Sequence, residues 1–86
     1  MPLKTMEEVR SLVTSTIAEQ LAESISVVTP EKNFVDDLGV DSLDVYELAM
    51  ALEDECEVEI TDDEMIACRT VQQAIDLIAA KRSITA

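Results

Sequence analysis

The sequence predicts an all-α fold with four helices, a long first loop and a short third helix. Apolar residues recur at steps of three and four residues, which is the spacing of one helix face. Three capping boxes, in which Thr is followed three residues later by Glu or Gln, mark helix starts after Thr5, Thr61 and Thr70. The 86 residues are 48% apolar, which is enough for one small core, so we treat residues 1–86 as a single domain.

The first helix is predicted over residues 5–23. Thr5 and Glu8 open it, and one apolar face follows at helical spacing, formed by Met6, Val9, Val13, Ile17 and Leu21. Residues 24–41 then form a loop, and loops of this length usually serve a function in compact domains. We expect the loop to pack against the core through its apolar residues, which are Val27, Val28, Phe34, Val35 and Leu38.

The second helix is predicted to begin at Asp41 or Ser42, just after Gly39, and to end near Cys56. The two later capping boxes predict a short third helix over residues 62–67 and a fourth over residues 71–82. We expect residues 83–86 to form a frayed tail. Residues 58–60 could pass for a strand, but a lone strand of three residues has nothing to pair with.

The second helix carries two apolar stripes. On a helical wheel the core stripe contains Val45, Leu48, Ala49, Leu52 and Cys56. The other stripe, called the docking stripe below, consists of Leu43, Tyr46 and Met50. Its acidic neighbours are Glu47, Glu53 and Asp54, while Asp44 and Glu55 lie between the two stripes. A helix in a small bundle needs only one buried stripe, so we interpret the second as an exposed docking surface. The alternative is that Tyr46 and Met50 contact the long loop and belong to the core.

Charge and composition exclude several functions. With 6 basic and 19 acidic residues the net charge is −13, which repels nucleic acid and anionic lipid and favours protein partners with basic patches. The chain has no His and a single Gly, so it cannot form a Ser-His-Asp system, an imidazole metal site or a P-loop. No register starting at Asp36 or Asp37 fits an EF-hand loop. We therefore expect no catalytic residue, no metal site and no membrane insertion.

The sequence has no apolar signal-peptide core and no CxxC motif, so we expect a cytoplasmic protein with reduced thiols.

Ser42 places a hydroxyl at the junction of the long loop and the second helix. No His is present to activate it, so Ser42 is not expected to attack a substrate by itself. It could receive a group attached by another enzyme, and a phosphate ester there would lie near the first-turn N–H groups. It could equally be the N-cap of the helix, since Ser is among the best N-cap residues. Residue chemistry alone leaves both interpretations open.

The run from Phe34 to Asp44, together with residues 47–53 and 70–75, resembles the acyl carrier proteins of fatty-acid and polyketide synthesis. The resemblance covers essentially the whole chain, including its length and acidity. It implies a four-helix bundle that is not an enzyme. It also implies that a phosphopantetheinyl transferase moves 4′-phosphopantetheine from coenzyme A to Ser42. Asp41 and Leu43 are the other two residues expected in this cofactor-binding site. The arm then holds acyl groups as thioesters.

The resemblance further implies which surfaces and partners the carrier uses. Docking would involve the second helix, and its expected docking residues are Asp44, Tyr46, Glu47, Met50, Glu53 and Asp54. The expected partners of this monomer are the transferase, an acyl-loading enzyme, synthases and acyltransferases with basic docking patches. The alternative function is an acidic protein-interaction module without an arm, in which Ser42 is only an N-cap.

Three residues depart from the family pattern. Cys56 stands where many members have Phe, Cys68 where an aliphatic residue is usual, and Tyr46 where a small aliphatic residue is common. We expect both cysteines to be buried thiols without a catalytic role. The departures favour a specialised carrier over a housekeeping one.

Overall fold

The computed structural model describes residues 4–84, and this part of the chain contains four helices: α1 (Met6–Leu21), α2 (Ser42–Cys56), α3 (Asp62–Ala67) and α4 (Val71–Lys81). The predicted all-α class is confirmed. The described residues contain no strand, only an isolated antiparallel bridge between Asn33 and Thr70. The predicted bounds of α2 and α3 agree with the structure, whereas α1 and α4 end slightly earlier than predicted.

The end of α1 lacks a sequence signal because its terminating residue is Ala22 rather than Gly. Ala22 adopts the left-handed conformation with φ 55°. This turn lets the N–H of Glu23 donate to the carbonyl of Ala18 over 2.9 Å and the N–H of Ala22 donate to Glu19 over 3.2 Å. Such a closure usually employs Gly, since a Cβ atom is strained there. The prediction therefore placed the end of α1 two residues too late.

The capping boxes of α3 and α4 are complete, whereas that of α1 is only half formed. The N–H of Glu8 donates to the Thr5 hydroxyl oxygen over 3.2 Å, as predicted. The Glu8 carboxylate, however, accepts from the N–H of Lys4 and from the Thr5 hydroxyl. The cap still provides an acceptor for the N–H of Glu8, which has no partner within the helix, and it fixes where α1 begins.

The core lies between α1, α2 and α4. Its fully buried side chains share one face of each helix: Val9, Val13 and Ile17 of α1, Leu48 and Leu52 of α2, and Val71, Ile75 and Ile78 of α4. Burying a side chain of this size stabilises the fold by about 1.5–3 kcal/mol. Only Met65 of α3 is buried, so the short helix lies against the bundle through one anchor.

The long loop is pinned to the core at Val28, Phe34 and Val40, which are all buried. The N–H of Phe34 donates to the carbonyl of Arg69 over 2.9 Å, and the Phe34 carbonyl accepts from the N–H of Val40 over 2.8 Å. The loop thus joins the start of α4 to the start of α2. The expectation that Val27 and Val35 also pack inward is wrong, because both are exposed.

Residues 83 and 84 do not fray as expected. Ser83 adopts a left-handed conformation with φ 57°, and the N–H of Ile84 donates to the carbonyl of Ala79 over 2.8 Å. Ile84 also packs against the core. Residues 85–86 of the expected frayed tail lie outside the described residues.

We expect salt to stabilise this fold. The chain carries a net charge of −13, and the one ion pair within residues 4–84 joins Lys81 of α4 to Glu64 of α3 over 2.8 Å. Screening by salt or millimolar Mg²⁺ should reduce the repulsion and raise the melting temperature. Acidification to pH 5 should act in the same direction by reducing repulsion between clustered carboxylates. Thermal melts at increasing salt and at pH 7 and 5 test this, and an unchanged melting temperature in both series contradicts it.

The ion pair does not oppose the effect of acidification to pH 5. The hydrogen bond from Lys81 lowers the pKa of Glu64 below its ordinary value of 4.5. Because the pKa is lowered in the folded state, the contribution of Glu64 is present above pH 4.5 and is lost only as the pH falls through the lowered value. At pH 5 the pair is therefore still ionised.

Candidate functional site

Ser42 is the first residue of α2, and the N-cap is Asp41. The Asp41 carboxylate accepts from the N–H of Asp44 over 2.9 Å, and the Asp44 carboxylate accepts from the N–H of Asp41 over 3.1 Å. This complete capping box occupies the position in which Ser42 could have capped the helix. The interpretation of Ser42 as an N-cap is therefore wrong.

Ser42 is exposed, and its hydroxyl is not used by the helix cap. Within residues 4–84 no hydrogen bond engages this hydroxyl, whereas the carboxylates of Asp41 and Asp44 are both bonded in the capping box. The N–H groups of Ser42 and Leu43 belong to the first helical turn and have no acceptor inside the helix. Together with the helix dipole, these donors favour an anionic group on the Ser42 oxygen.

Gly39 shapes the approach to Ser42. It has φ +66°, a conformation that residues with a side chain rarely adopt. After this turn the N–H of Val40 donates to the carbonyl of Phe34. Val40 is buried under the loop. With Val40 fixed in the core, Ser42 emerges at the surface two residues later.

A groove with a volume of about 700 Å³ lies between the long loop, α2 and α3, and Ser42 is one of its lining residues. Its walls are mainly apolar, with a few polar side chains. The lining residues are Asn33, Phe34, Val35, Asp36, Val40, Asp41, Ser42, Val45, Tyr46, Leu48, Met65, Ile66, Cys68 and Arg69. Binding grooves for small molecules have a similar size and composition.

The docking stripe is exposed along α2. Leu43, Tyr46 and Met50 have exposed fractions of 65%, 45% and 59%. The alternative that Tyr46 and Met50 belong to the core is therefore wrong. Ile66 of α3 is also exposed and lines the same groove as Tyr46, which extends the apolar surface beyond α2. Ile66 was not predictable from the sequence because α3, with six residues, is too short to show a second stripe.

The acidic residues beside the docking stripe are not equivalent. Asp44 belongs to the capping box, and Glu47 accepts a hydrogen bond from the side-chain amide of Gln20 in α1 over 3.0 Å. Glu53 is half-buried, and Asp54 is exposed. Hence Asp44 and Glu47 make hydrogen bonds within the protein that a helical wheel cannot show, while Asp54 is exposed to solvent.

Neither cysteine has the features of a nucleophile. Burial raises the pKa of the Cys56 thiol to about 11, with Glu55 adding to the shift. Cys68 is only half-buried, contrary to the expectation of full burial, and its thiol donates to the carbonyl of Glu64 over 3.4 Å. Burial also raises the pKa of Cys68. Both thiols stay protonated near neutral pH and are poor nucleophiles.

We expect thiol reagents to distinguish the two cysteines in the native protein. At pH 8 a pKa of about 11 leaves roughly one thousandth of Cys56 as thiolate, and its side chain is shielded by the core. Cys68 should therefore react first. Native Cys68→Ala protein should show no fast phase with a chromogenic disulfide reagent, whereas Cys56→Ala should retain it. A fast phase that survives Cys68→Ala contradicts this assignment.

Removal of the N-cap should destabilise the start of α2. Asp41→Ala deletes the acceptor for the N–H of Asp44 and should cost about 1 kcal/mol of unfolding free energy. Urea unfolding measures the loss. Asp36→Ala is the matched control, because Asp36 is exposed and its carboxylate accepts no hydrogen bond from residues 4–84. Equal losses in both variants would show that the capping box is not what holds this helix start.

In residues 4–84 no group of three or more His, Cys, Asp or Glu side chains is placed to hold a metal ion. None of the helices described is long and apolar enough to cross a membrane.

The sequence matches the model of a known protein family. A family model described as the phosphopantetheine attachment site (PP-binding) matches residues 11–78, which is most of the chain. The matched region includes Ser42, its capping box and the groove. The geometry fits this prosthetic group: Ser42 offers an exposed hydroxyl, the first turn offers N–H donors for a phosphate, and Ser42 also lines a groove.

Proposed function

The chain belongs to the phosphopantetheine attachment site family, and we propose that Ser42 is the residue that receives the arm. Domains of this family bind 4′-phosphopantetheine covalently and are carriers rather than enzymes. The observation that carries the assignment is the free, exposed hydroxyl of Ser42 at the start of α2. Asp41 performs the capping, so the serine has no structural hydrogen bond to lose on modification.

The residues around Ser42 have separate roles in this proposal. Asp41 holds the helix start in place, and the N–H groups of Ser42 and Leu43 stabilise the negative charge of the phosphate. Gly39 provides the turn that brings Ser42 to the surface. When bound, the arm supplies a terminal thiol that carries acyl groups as thioesters. Its flexible reach keeps the acyl group at a high effective concentration near a partner's active site.

A carrier of this family interacts with partner enzymes such as transferases and synthases. We infer that they dock on the docking stripe, Leu43, Tyr46 and Met50, which is exposed on the same helix as Ser42. The six proposed docking residues remain Asp44, Tyr46, Glu47, Met50, Glu53 and Asp54. The acids steer basic partner surfaces by long-range attraction, so association should weaken as salt rises. The proposed partners are a phosphopantetheinyl transferase, an acyl-loading enzyme, synthases and acyltransferases.

The proposed pathway is fatty-acid, lipid or polyketide biosynthesis in the cytoplasm, with the carrier acting as a monomer. Tyr46 and Cys68 support a specialised carrier. Both line the groove beside Ser42, so both departures from the family pattern lie where a tethered group would contact the protein. Cys56 is instead buried in the core.

Mass spectrometry tests the proposed function directly. The protein is incubated with coenzyme A, Mg²⁺ and a phosphopantetheinyl transferase of broad specificity. The expected result is a mass increase of one phosphopantetheinyl group, with peptide mapping that assigns it to Ser42. Protein that stays unmodified, or a group mapped to another serine, would overturn the proposal.

A further inference from the structure

A second groove, called the acidic cleft below, lies between α1 and α2 and has a volume of about 640 Å³. α1 contributes residues between Leu12 and Gln20, and α2 contributes residues between Glu47 and Glu55. The acidic cleft shares no lining residue with the groove that Ser42 lines. It is therefore a separate feature of the surface, apart from the proposed site of the arm.

The two walls of the acidic cleft run in opposite directions. The side-chain amide of Gln20, in the last turn of α1, donates to the carboxylate of Glu47, in the second turn of α2, over 3.0 Å. From this bridge α1 runs back to Leu12 and α2 runs forward to Glu55, which is eight residue steps on each helix. At 1.5 Å per residue the cleft is about 12 Å long, slightly more than two helical turns.

Carboxylates lie at both ends of the acidic cleft. Glu19 and Glu47 are at the end with the amide bridge, and Asp54 and Glu55 are at the opposite end. No Lys or Arg is among the lining residues, and none of the four carboxylates belongs to the one ion pair within residues 4–84. Glu19, Asp54 and Glu55 are exposed. Each end of the cleft thus has two formal negative charges without a counter-charge in the lining.

Small and apolar side chains line the acidic cleft between its two ends. Ser15, Thr16 and Ala51 are small, and the Ser15 hydroxyl donates to the carbonyl of Leu12 in its own helix over 3.1 Å. Met50 borders the cleft with an exposed fraction of 59%, and its unbranched side chain adapts to different apolar partners. The middle of the cleft therefore offers room and apolar contact, while its ends offer negative charge.

We propose that the acidic cleft binds a basic amphipathic helix of a partner protein. Two helices that pack side by side leave a groove that a third helix can fill. Glu47 and Asp54 are seven residues apart on α2, so the partner helix would present two basic residues seven positions apart, two turns along one face. Apolar side chains three and four positions after the first basic residue would contact Leu12 and Met50. Charge complementarity at both ends and apolar contact between them define the occupant.

A second copy of this chain does not have the pattern of this occupant. No two of its basic residues are seven positions apart along the sequence. They are Lys4, Arg10, Lys32, Arg69, Lys81 and Arg82. Two copies would also each bring a net charge of −13 to the contact. The charges therefore favour a different protein, one with an excess of Lys and Arg on the helix that enters the cleft.

The inference goes beyond the proposed function, because no residue of the acidic cleft carries or contacts the arm. Glu47, Met50 and Asp54 line the cleft and are also proposed docking residues. What distinguishes the two surfaces is the α1 wall together with Glu55 at the far end of α2. Glu19 and Glu55 are therefore the residues to change in a test, since neither belongs to the proposed docking surface.

The test uses the unmodified protein and a designed helical peptide of about 18 residues, long enough to form a helix when it is rich in Ala. The peptide has two Arg seven positions apart and Leu three and four positions after the first Arg. A control peptide has the same composition, with both Arg on the opposite face. Fluorescence anisotropy at low salt measures both dissociation constants. We expect the designed peptide to bind about five- to tenfold more tightly than the control, with a difference that shrinks as salt rises.

Variants identify the residues responsible. Glu19→Lys combined with Glu55→Lys reverses one charge at each end of the cleft and should bring the two affinities within about twofold. Glu31→Lys combined with Asp36→Lys is the matched control, because it changes the net charge equally at exposed residues outside the cleft and should keep the preference. Ala51→Met fills the middle of the cleft without changing its charge and should weaken binding of the designed peptide several-fold. Melting temperatures show whether each variant is folded, and Glu19→Gln with Glu55→Gln replaces the charge reversal if that variant unfolds.

Each outcome decides for or against the acidic cleft. NMR shifts of backbone amides in residues 12–20 and 47–55, together with loss of the preference in the Glu19 and Glu55 variants, support it. Equal affinities of the two peptides for the parent protein overturn the proposal, as does a preference that survives the changes at Glu19 and Glu55. Shifts centred on Ser42 and Tyr46 would place the peptide on the docking stripe instead. Displacement of the peptide by an equal concentration of spermidine would show that the cleft recognises charge alone, which overturns a helix as its specific occupant.

Discussion

Ser42→Ala should abolish attachment of 4′-phosphopantetheine completely. The variant removes the oxygen that would form the bond to phosphorus, and the other residues around it are unchanged. Ala is a good helix former, and the Ser42 hydroxyl makes no hydrogen bond within residues 4–84, so the fold should be kept. Intact-mass spectrometry after incubation with transferase, coenzyme A and Mg²⁺ measures the loss.

The control for this prediction is Ser11→Ala. Ser11 is an exposed serine on α1, outside the groove and without a capping role, so this variant should be modified as fully as the parent protein. Thermal melts of both variants should match the parent within experimental error. Modification that persists in Ser42→Ala, or disappears in Ser11→Ala, would show that the arm is attached elsewhere.

The elements that were predictable from sequence are those whose boundary signals are local. The capping residues Thr61 and Thr70 and the turn at Gly39 placed α2, α3 and α4 closely. The end of α1 was not predictable, because Ala22 adopts a left-handed conformation that its residue type disfavours. What stabilises that conformation is the bond from Glu23 to Ala18, which becomes visible only in the folded chain.

The candidate site was predictable in part. A helical wheel showed that α2 has a second apolar stripe, because the period of the helix determines which residues share a face. It could not show that Asp44 completes a capping box or that Glu47 contacts Gln20 of α1. Arg69 and Asn33 were missed for the same reason. They join the groove through contacts between segments that are distant in sequence.

Tyr46→Ala should weaken docking to partner enzymes several-fold while leaving the fold nearly intact. Tyr46 is 45% exposed at the centre of the docking stripe, one turn after Ser42, and its ring offers a large contact with a polar tip. Truncation of such an anchor at an interface typically costs over about 1 kcal/mol of binding free energy. The dissociation constant for a phosphopantetheinyl transferase, measured by surface plasmon resonance, tests the effect.

Ile25→Ala is the matched control for Tyr46→Ala. Ile25 is another exposed large apolar residue, but it lies in the long loop outside the proposed docking surface. Its truncation should leave both binding and the melting temperature unchanged. If Ile25→Ala weakens binding as much as Tyr46→Ala, the loss reflects general surface hydrophobicity and not a contact made by α2.

A charge reversal on the same helix should act differently from the truncation of Tyr46. Glu47→Lys reverses one steering charge and should slow association mainly at low salt, whereas the defect of Tyr46→Ala should persist at high salt. Glu31→Lys makes the same change in net charge on an exposed loop residue and should have the smaller effect. Because Glu47 also accepts a hydrogen bond from Gln20, each melting temperature must be measured alongside binding. A large loss of stability in Tyr46→Ala, with unchanged affinity of the folded fraction, would make Tyr46 a structural residue and overturn the docking stripe.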